Sequence, residues 1–350
     1  MSDRQWKNGQ ENPNPVENPD GTGTLISISG ERFLGDRTVL VTGGTGFVGK
    51  YVIAELLAEG YEVYALTRDV SRDLQGIRMI EGDIAYPIRL PPDVKMIFHC
   101  AGVIAEEDHM QAVNVVGTKH IVDAALSSGC RLVHLSSAGV IGPTQQFLVD
   151  ELSECRPESL YERTKLDAER VVIEGVASGL DANMLRPTTV FGIGRAPEKD
   201  SLLHLMRAIK SGKYKNISDG RGIYGIVHAR EVARGMLSLS RCDKPKGEAY
   251  FINTPVSFSE FAKITSSVVG CANPGSLPFP FAFAATALFS LAESLTGRKM
   301  PLSWSRLFAL TSKTVYSQAR LSDTTDYHPA LPIESYIIQV CEEYVKQGLL

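Results

Sequence analysis

The stretch that decides the fold reads Thr42-Gly43-Gly44-Thr45-Gly46-Phe47-Val48-Gly49. It lies between an apolar run at residues 37–42, which predicts a buried parallel strand, and a helical pattern at residues 47–59. The spaced glycines permit a tight turn, a close approach of a diphosphate to the backbone, and close packing of the helix on the strand. The start of the helix also offers unpaired N–H groups to phosphate oxygens. The stretch therefore predicts a dinucleotide-binding turn, with cofactor contacts from Gly43, Thr45, Gly46, Phe47 and Val48.

Strand and helix patterns continue to alternate after this turn. Predicted strands cover residues 62–67, 95–100, 131–136 and 182–186, and predicted helices cover residues 110–128 and 161–178. This alternation predicts an α/β fold, a Rossmann-type doubly wound parallel sheet. We expect residues 36–192 to form the dinucleotide-binding domain and residues 193–350 to form a smaller, mixed α/β substrate-binding lobe, with interleaving of the two left open. Residues 1–35 are rich in Asn, Pro, Gly and charge and predict a mobile polar leader, with an optional short strand at residues 24–28.

The composition is that of an ordinary globular protein. A 350-residue chain with 43% hydrophobic residues is large and apolar enough to bury a core. The formal net charge is −4 and no block of like charge stands out, so nothing predicts a nucleic-acid partner. The 6 cysteines are scattered without close pairs, which argues against a disulfide framework and a metal site and favours a reducing, cytoplasmic compartment. The polar N-terminus predicts no secretory signal.

One apolar segment stands apart from this pattern. No charged residue occurs between Gly275 and Glu293. Its helical part, taken to begin after Pro280, is predicted to be shorter than the roughly 20 residues that a membrane span needs. A buried helix or a lid over the substrate is the favoured interpretation. Contact with a membrane surface, which would make the protein peripheral to a membrane, is the less favoured alternative.

The end of the second strand bears on the choice of cofactor. An acidic residue there binds the ribose 2′-hydroxyl of NAD, but Thr67 occupies this place and Arg68 follows it. An arginine beside an uncharged residue would accept a 2′-phosphate, so we predict NADP with Arg68 as a cofactor ligand. NAD stays possible, because a small shift of register would bring Asp69 near the ribose. Arg68 could equally be a solvated surface charge.

A second motif carries the predicted chemistry. Tyr161 and Lys165 lie four residues apart and therefore share one face of a helix. A free phenol has a pKa of about 10, and a nearby ammonium group favours the phenolate and brings the phenol into range as a general acid or base. Ser137, at the end of a strand, could hydrogen-bond the reacting oxygen. We predict Ser137, Tyr161 and Lys165 as the catalytic residues. Asn114, on a predicted helix, is expected to hold either a water molecule or a backbone group.

The order of these motifs resembles the extended short-chain dehydrogenase/reductase family, which includes the NAD-dependent epimerase/dehydratases. The likeness runs from about residue 37 to the C-terminus. Apart from the glycine turn and the Tyr161/Lys165 pair, it rests on these segments: Gly82-Asp83-Ile84, His99-Cys100-Ala101-Gly102, Asn114-Val115-Val116-Gly117-Thr118, residues 136–142, residues 185–192, and residues 227–233.

The resemblance assigns further roles. It implies that Asp83 contacts the adenine, that Lys165 also binds the nicotinamide ribose beside Tyr161, and that Ser137 positions the substrate oxygen. It implies a small-molecule substrate and a homodimer. The remaining cofactor contacts that it implies are Ile84, the loop Cys100, Ala101 and Gly102, and Pro187 near the nicotinamide.

Departures from the family pattern narrow the reaction. Ala138 and Gly139 occupy the places where the related dehydratases carry an acidic pair, so dehydration is disfavoured. Thr189 and Tyr224 stand where sugar-nucleotide epimerases carry Asn and Arg to bind a diphosphate, although Arg195 or Arg221 could substitute.

What remains resembles the 3β-hydroxysteroid dehydrogenase and dihydroflavonol reductase branch. We therefore predict an NADP-dependent oxidoreductase that interconverts a ketone and a secondary alcohol by hydride transfer. A sugar-nucleotide 4-epimerase that works through a transient keto intermediate is the alternative. A non-catalytic dinucleotide sensor is disfavoured, because such proteins typically lack the tyrosine.

Overall fold

A computed structural model of the chain describes residues 37–70, 76–243, 246–296 and 302–350. The predicted leader at residues 1–35 and the optional strand within it lie outside these ranges. The described strands are β1 (Thr38–Thr42), β2 (Glu62–Thr67), β3 (Ile77–Glu81), β4 (Met96–His99), β5 (Arg131–Leu135), β6 (Leu148–Val149), β7 (Ala182–Pro187), β8 (Thr189–Phe191), β9 (Asn216–Ile217), β10 (Ile223–His228), β11 (Ala249–Ile252), β12 (Thr254–Ser257), β13 (Ser276–Leu277) and β14 (Val315–Tyr316).

The helices follow the same order along the chain. The α-helices are α1 (Phe47–Ala58), α2 (Glu107–Met110), α3 (Gly117–Ser128), α4 (Leu160–Ala177), α5 (Ser201–Lys210), α6 (Ala229–Ser240), α7 (Phe258–Val269), α8 (Phe279–Thr296), α9 (Trp304–Thr311), α10 (Ala319–Thr324) and α11 (Ile333–Lys346). A π-helix covers Gln111–Val116, and 3-10 helices cover Ala138–Ile141 and Pro197–Lys199.

Seven strands form one parallel sheet in the order β11-β7-β5-β4-β1-β2-β3. The chain runs outward from β1 to β3 and then crosses to β4 on the other side of β1. The carboxyl ends of β1 and β4 therefore flank the crevice in which ligands of such sheets bind. The predicted Rossmann-type doubly wound sheet is confirmed. Strand β3 was not predicted, because its alternating, half-exposed side chains are those of a sheet edge.

Helices cover both faces of this sheet. Helices α1 and α6 pack on one face, and α3 and α4 pack on the other. Every residue of β1 is buried, which explains why this strand reads as a continuous apolar run. The glycine turn follows this strand directly, so the phosphate-binding loop is anchored at the centre of the sheet.

Residues beyond 193 contribute both to the main sheet and to a second apolar core. Helix α6 and strand β11 return to the main sheet, whereas α5, α7 and α11 surround a second apolar core. Strand β10 lies between β12, which is antiparallel to it, and β8, which is parallel. The division into two domains at residue 192 stays a prediction.

The predictions for the apolar segment are wrong in two respects. Helix α8 begins at Phe279 and is 18 residues long, because Pro280 lies in the first turn, where a proline requires no hydrogen-bonded N–H. By length and composition α8 is able to cross a membrane. It is also not a buried helix, since Ala282 and Thr286 are its buried residues.

Candidate active site

The glycine turn has the geometry that its sequence predicts. Gly43 has a positive φ of 67°, and a Cβ atom on it would lie 2.7 Å from the Cα of Ala101. A Cβ atom on Gly49 would lie 2.1 Å from the carbonyl oxygen of Gly43. The first glycine therefore makes the turn and the third lets α1 pack against it.

The start of α1 is open to an anion. Gly46 is the N-cap residue and provides no capping side chain, and the first turn of the helix contains no acidic residue. Gly46 itself is exposed, while Thr45, Phe47 and Val48 are half-buried around it. The unpaired N–H groups at this helix end fit the pyrophosphate of a dinucleotide.

The loop after β4 forms the opposite wall. The amide of Cys100 donates to the carbonyl oxygen of Thr42 (3.1 Å), and the amide of Ala101 donates to the Thr42 hydroxyl (3.3 Å). The Cys100 thiol turns toward Met236 on α6, and burial raises its pKa to about 12. Cys100 therefore contributes its backbone to this wall, and its thiol stays protonated.

The ends of β2 and β3 form the outer part of the crevice. Thr67 is buried, and its hydroxyl exchanges hydrogen bonds with the backbone of Asp69 (3.1 and 3.2 Å). Arg68 is exposed at this turn. The Asp83 carboxylate accepts from the amide of Ala85 (2.9 Å), which fixes the turn after β3. Ile84 next to it is buried, whereas Pro187, also buried, ends β7 at the far side of the sheet.

A π-helix replaces part of the predicted helix at residues 110–128. Asn114 is buried within this π-helix, and its side-chain amide accepts from the backbone N–H of Val103 (2.9 Å) and donates to the Val103 carbonyl oxygen (3.0 Å). The Asn114 side chain also donates to the hydroxyl of Thr164 on α4 (3.0 Å). Of the two predicted roles, the structure shows the backbone contact. Asn114 thereby ties the loop after β4 to the helix that carries Tyr161 and Lys165.

A capping box at Ser159, the N-cap residue of helix α4, lies two residues before Tyr161. The hydroxyl of Ser159 accepts from the Glu162 amide (3.2 Å), and the Glu162 carboxylate accepts from the Ser159 amide (2.9 Å). These two reciprocal hydrogen bonds fix the first turn of α4. Tyr161 is consequently held half-buried at the mouth of the crevice, with Lys165 one turn deeper.

Lys165 is buried, with 5% of its surface exposed. Its ammonium donates to the carbonyl oxygen of Leu135, at the end of β5 (2.5 Å). Burial lowers the pKa of Lys165 to about 8, while the nearby Glu169 and Cys100 act in the opposite direction. The Lys165 ammonium is therefore charged at neutral pH and begins to lose its proton at slightly higher pH.

Ser137 lies beside Tyr161. The Ser137 hydroxyl forms a hydrogen bond with the phenol that lowers the pKa of Tyr161, and the charge of Arg195 acts the same way. Burial has the larger effect, so the net direction is upward. The expectation that Lys165 makes this phenol more acidic is wrong for this arrangement, because the ammonium is directed to Leu135.

Two charged residues behind this site were not predicted. The guanidinium of Arg186 donates twice to the carboxylate of Glu169 (2.6 and 2.8 Å), and the Ser136 hydroxyl donates to the same carboxylate (2.5 Å). The pair is buried. An arginine inside an otherwise apolar strand, and a carboxylate four residues after Lys165, were the available signals.

Arg195 lies at the site as well. Its guanidinium stands 4.6 Å from the ring centroid of Phe47, at the start of α1, and its charge acts on Tyr161. Arg221, the other candidate for a diphosphate contact, is highly exposed and paired with Asp219 (3.0 Å). Arg195 is therefore the arginine that joins the glycine turn to the tyrosine.

Comparison with known proteins shows the family and the fold of the chain. A sequence model described as the NAD dependent epimerase/dehydratase family matches residues 39–252. The 4-hydroxy-2-methyl-3-oxo-4-farnesyl-3,4-dihydroquinoline-1-oxide ketoreductase of Stigmatella aurantiaca is 30% identical over 278 residues, or 75% of this chain and 81% of that protein. The 3beta-hydroxysteroid-dehydrogenase/decarboxylase isoform 1 of Arabidopsis thaliana is 26% identical, over 88% of this chain and 80% of that protein. The UDP-glucuronic acid 4-epimerase from Bacillus cereus, solved in complex with NAD, has a TM-score of 0.68 at 17% identity, over 89% of this chain and 100% of that one. The last likeness shows the shared fold.

Proposed function

The chain belongs to the NAD dependent epimerase/dehydratase family, and on that premise we propose that it is an NADP-dependent reductase of lipophilic ring ketones. The observation that carries the proposal is the hydrogen-bonded pairing of Tyr161 with Ser137. In the place where the related dehydratases carry an acidic pair, Ser137 is followed by Ala138 and Gly139. The site thus has a proton donor and a hydroxyl for a carbonyl oxygen, without the acid and base that dehydration needs.

The proton chemistry follows from the state of Tyr161. Because burial raises its pKa, the phenol is protonated at neutral pH and suits the role of proton donor to a carbonyl oxygen. Ser137 hydrogen-bonds the same region and would hold that oxygen in place. The nicotinamide of the cofactor supplies the hydride. Lys165, charged below about pH 8, lies one helical turn away and would bind the nicotinamide ribose, as the family resemblance implies.

The preference for NADP rests on the end of β2. A threonine, Thr67, ends this strand, and its hydroxyl is engaged with the backbone of Asp69. Arg68 is exposed at the same turn and can reach a 2′-phosphate without being desolvated first. These features support NADP over NAD.

The substrate class rests on the surroundings of Tyr224. The phenol of Tyr224 stacks on Phe258 (4.8 Å) and lies edge-on to Phe261 (5.8 Å), so an aromatic cluster occupies the place where the resemblance puts a diphosphate-binding arginine. Burial raises the pKa of Tyr224 to about 12, so it carries no charge. The ketoreductase of Stigmatella aurantiaca and the hydroxysteroid dehydrogenase of Arabidopsis thaliana are named for lipophilic ring compounds, which points the same way.

The test is a substrate panel with the purified chain. Ring ketones, sterol ketones and sugar nucleotides are incubated with NADPH or NADH, and both nucleotide absorbance and product isomers are followed. We expect NADPH consumption with ring or sterol ketones. Epimerisation of a sugar nucleotide without net consumption of the cofactor would instead establish the 4-epimerase.

A further inference from the structure

Helix α8 presents its large apolar side chains away from the protein. Phe281, Ala284, Leu288, Leu291 and Leu295 recur at helical spacing, and we call this row the outward stripe. Phe281 is 66% exposed, Leu288 67%, Leu291 59% and Leu295 78%. A row with this spacing normally faces the core of a soluble protein.

The inward face of α8 is the smaller and more polar one. Ala282 and Thr286 are buried, and the Thr286 hydroxyl donates back to the Ala282 carbonyl (2.8 Å). This face packs on Leu307 of α9. The helix therefore packs on the protein through small side chains. Its larger hydrophobic side chains remain exposed.

The apolar surface continues onto α9. Phe283 contacts Trp304 edge-on (4.9 Å), Trp304 stacks on Phe308 (6.2 Å), and Phe308 is 61% exposed. Phe308 and Phe147 line a cavity of about 550 Å³ between α9 and residues 143–147. Residues 143–147 follow the 3-10 helix Ala138–Ile141 after Gly142, so the cavity borders the chain segment that leads away from Ser137.

In the described part of the chain, basic residues outnumber acidic ones along the segment that forms this surface. No acidic or basic residue occurs at positions 264–292, and in described residues 293–318 the acidic residue is Glu293, whereas the basic ones are Arg306 and Lys313. Both basic residues are exposed, and Lys313 also lines the cavity. Aromatic and aliphatic side chains bordered by basic ones match a lipid surface with anionic headgroups.

We propose that the outward stripe and Phe308 rest on an anionic lipid membrane, with α8 lying along the surface, and that the cavity receives lipophilic substrate from the lipid. The substrate route rests on the proposed function, while the docking does not. A symmetric dimer through the same stripe would bring the basic residues of both copies together, which disfavours a second copy as the occupant. Helix α8 lies on the membrane instead of crossing it, because its inner face is attached to α9.

Vesicle flotation of the full chain tests the docking. We expect the wild type to float with phosphatidylcholine vesicles that contain phosphatidylglycerol, and more weakly with phosphatidylcholine alone or in high salt. Leu288→Asn/Leu291→Asn should lower binding at least tenfold. Ile173→Asn/Val345→Asn is the matched control, because these side chains are exposed on α4 and α11 and should not affect binding. Lys313→Glu should weaken binding to the anionic vesicles alone.

The opposing results are equally definite. Absence of wild-type flotation, or equal flotation of the stripe variant, overturns the proposal. A dimer in solution that the stripe variant dissociates, without vesicle binding, identifies the stripe as an interface between copies. Protein that resists alkaline extraction from the vesicles would show insertion of α8 across the lipid. Activity on a water-soluble ring ketone should be the same in the stripe variant and in the wild type. If the wild type lacks this activity, the proposed reductase function is refuted, whereas the membrane docking is not affected.

Discussion

Arg186 holds Glu169 by two hydrogen bonds, of 2.6 and 2.8 Å, and both side chains are buried behind the candidate active site. Glu169 lies one helical turn from Lys165 and raises the pKa of that ammonium against the effect of burial. The ion pair thus joins β7 to α4 and sets the charge environment of Lys165 at the same time.

Replacing Glu169 with Gln should move the pH dependence of catalysis. Without the carboxylate, burial lowers the pKa of Lys165 further, so the fall in kcat/KM that we expect above about pH 8 should begin at a lower pH. The unpaired Arg186 should also reduce the free energy of unfolding by about 3–5 kcal/mol. Urea unfolding and a pH profile measure both effects.

The matched control for that change is Glu174→Gln, on the exposed side of the same helix. The double variant Glu169→Gln/Arg186→Met removes both buried charges and should recover much of the stability while keeping the shifted profile. A single variant with a wild-type pH profile would show that Glu169 does not act on Lys165.

Tyr161→Phe should lower turnover by at least about a hundredfold and leave the affinity for NADPH almost unchanged, because it removes the proton donor and keeps the ring. Steady-state kinetics and a fluorescence titration with NADPH separate the two properties. Tyr86→Phe, at a highly exposed position, serves as the control. Turnover at the wild-type level in the first variant would exclude the phenol as the general acid.

Arg68→Ala should weaken NADPH binding more than NADH binding, because only the former loses a charge-assisted contact to the 2′-phosphate. The two dissociation constants are measured by fluorescence titration. Arg89→Ala, another exposed arginine, should change neither. Equal losses for both cofactors would mean that Arg68 does not contact the 2′-phosphate.

Gly49→Ala should damage the phosphate turn. The added methyl group would lie 2.1 Å from the carbonyl oxygen of Gly43, so helix and turn must separate. We expect a loss of about 1–3 kcal/mol in the free energy of unfolding and a weaker affinity for either nucleotide. Gly275→Ala is the control, since the nearest atom to its added methyl group is the Lys215 ammonium nitrogen, 3.8 Å away. Unchanged nucleotide affinity in the Gly49 variant would contradict the assigned role.

His134→Leu should stabilise the protein in acid. Burial lowers the pKa of His134 well below its usual value, so the unfolded chain binds a proton below about pH 6.5 that the folded chain does not, and stability falls as the pH falls. Within the described part of the chain neither ring nitrogen has a hydrogen-bond partner, so leucine sacrifices no such bond. At pH 5 the variant should gain about 2 kcal/mol relative to its change at pH 7. Urea unfolding at pH 5 and pH 7 measures this difference. The prediction is refuted if the variant and the wild type differ in unfolding free energy by the same amount at both pH values.

The parts of the site that could be predicted are those encoded by spacing. The glycine turn and the Tyr161/Lys165 face depend on residues within a few positions of one another, and both occur where expected. The contact between Glu169 and Arg186 joins a helix to a strand across 17 positions, so no local pattern reveals it. The net pKa of Tyr161 likewise depends on burial, which the spacing of two residues does not specify.

The outward stripe is a second feature that the spacing of residues could not fully predict. Its spacing is identical to that of a core helix, so the sequence predicts which side chains share a face and cannot tell which face is covered. Pro280 misled the prediction of the helix start for a different reason, since the first turn tolerates a residue that the interior would not.

The last strand of the central sheet to be synthesised is β11, which pairs with β7 through Ala249–Ile252. A nascent chain that has left the ribosome only as far as β7 therefore exposes a bare strand edge, and the α1 side of its sheet lacks α6. Such an intermediate would be prone to association with its neighbours until some sixty further residues arrive. The dinucleotide-binding half is consequently unsuited to be excised as a free-standing module, and its maturation depends on the synthesis of the half that follows.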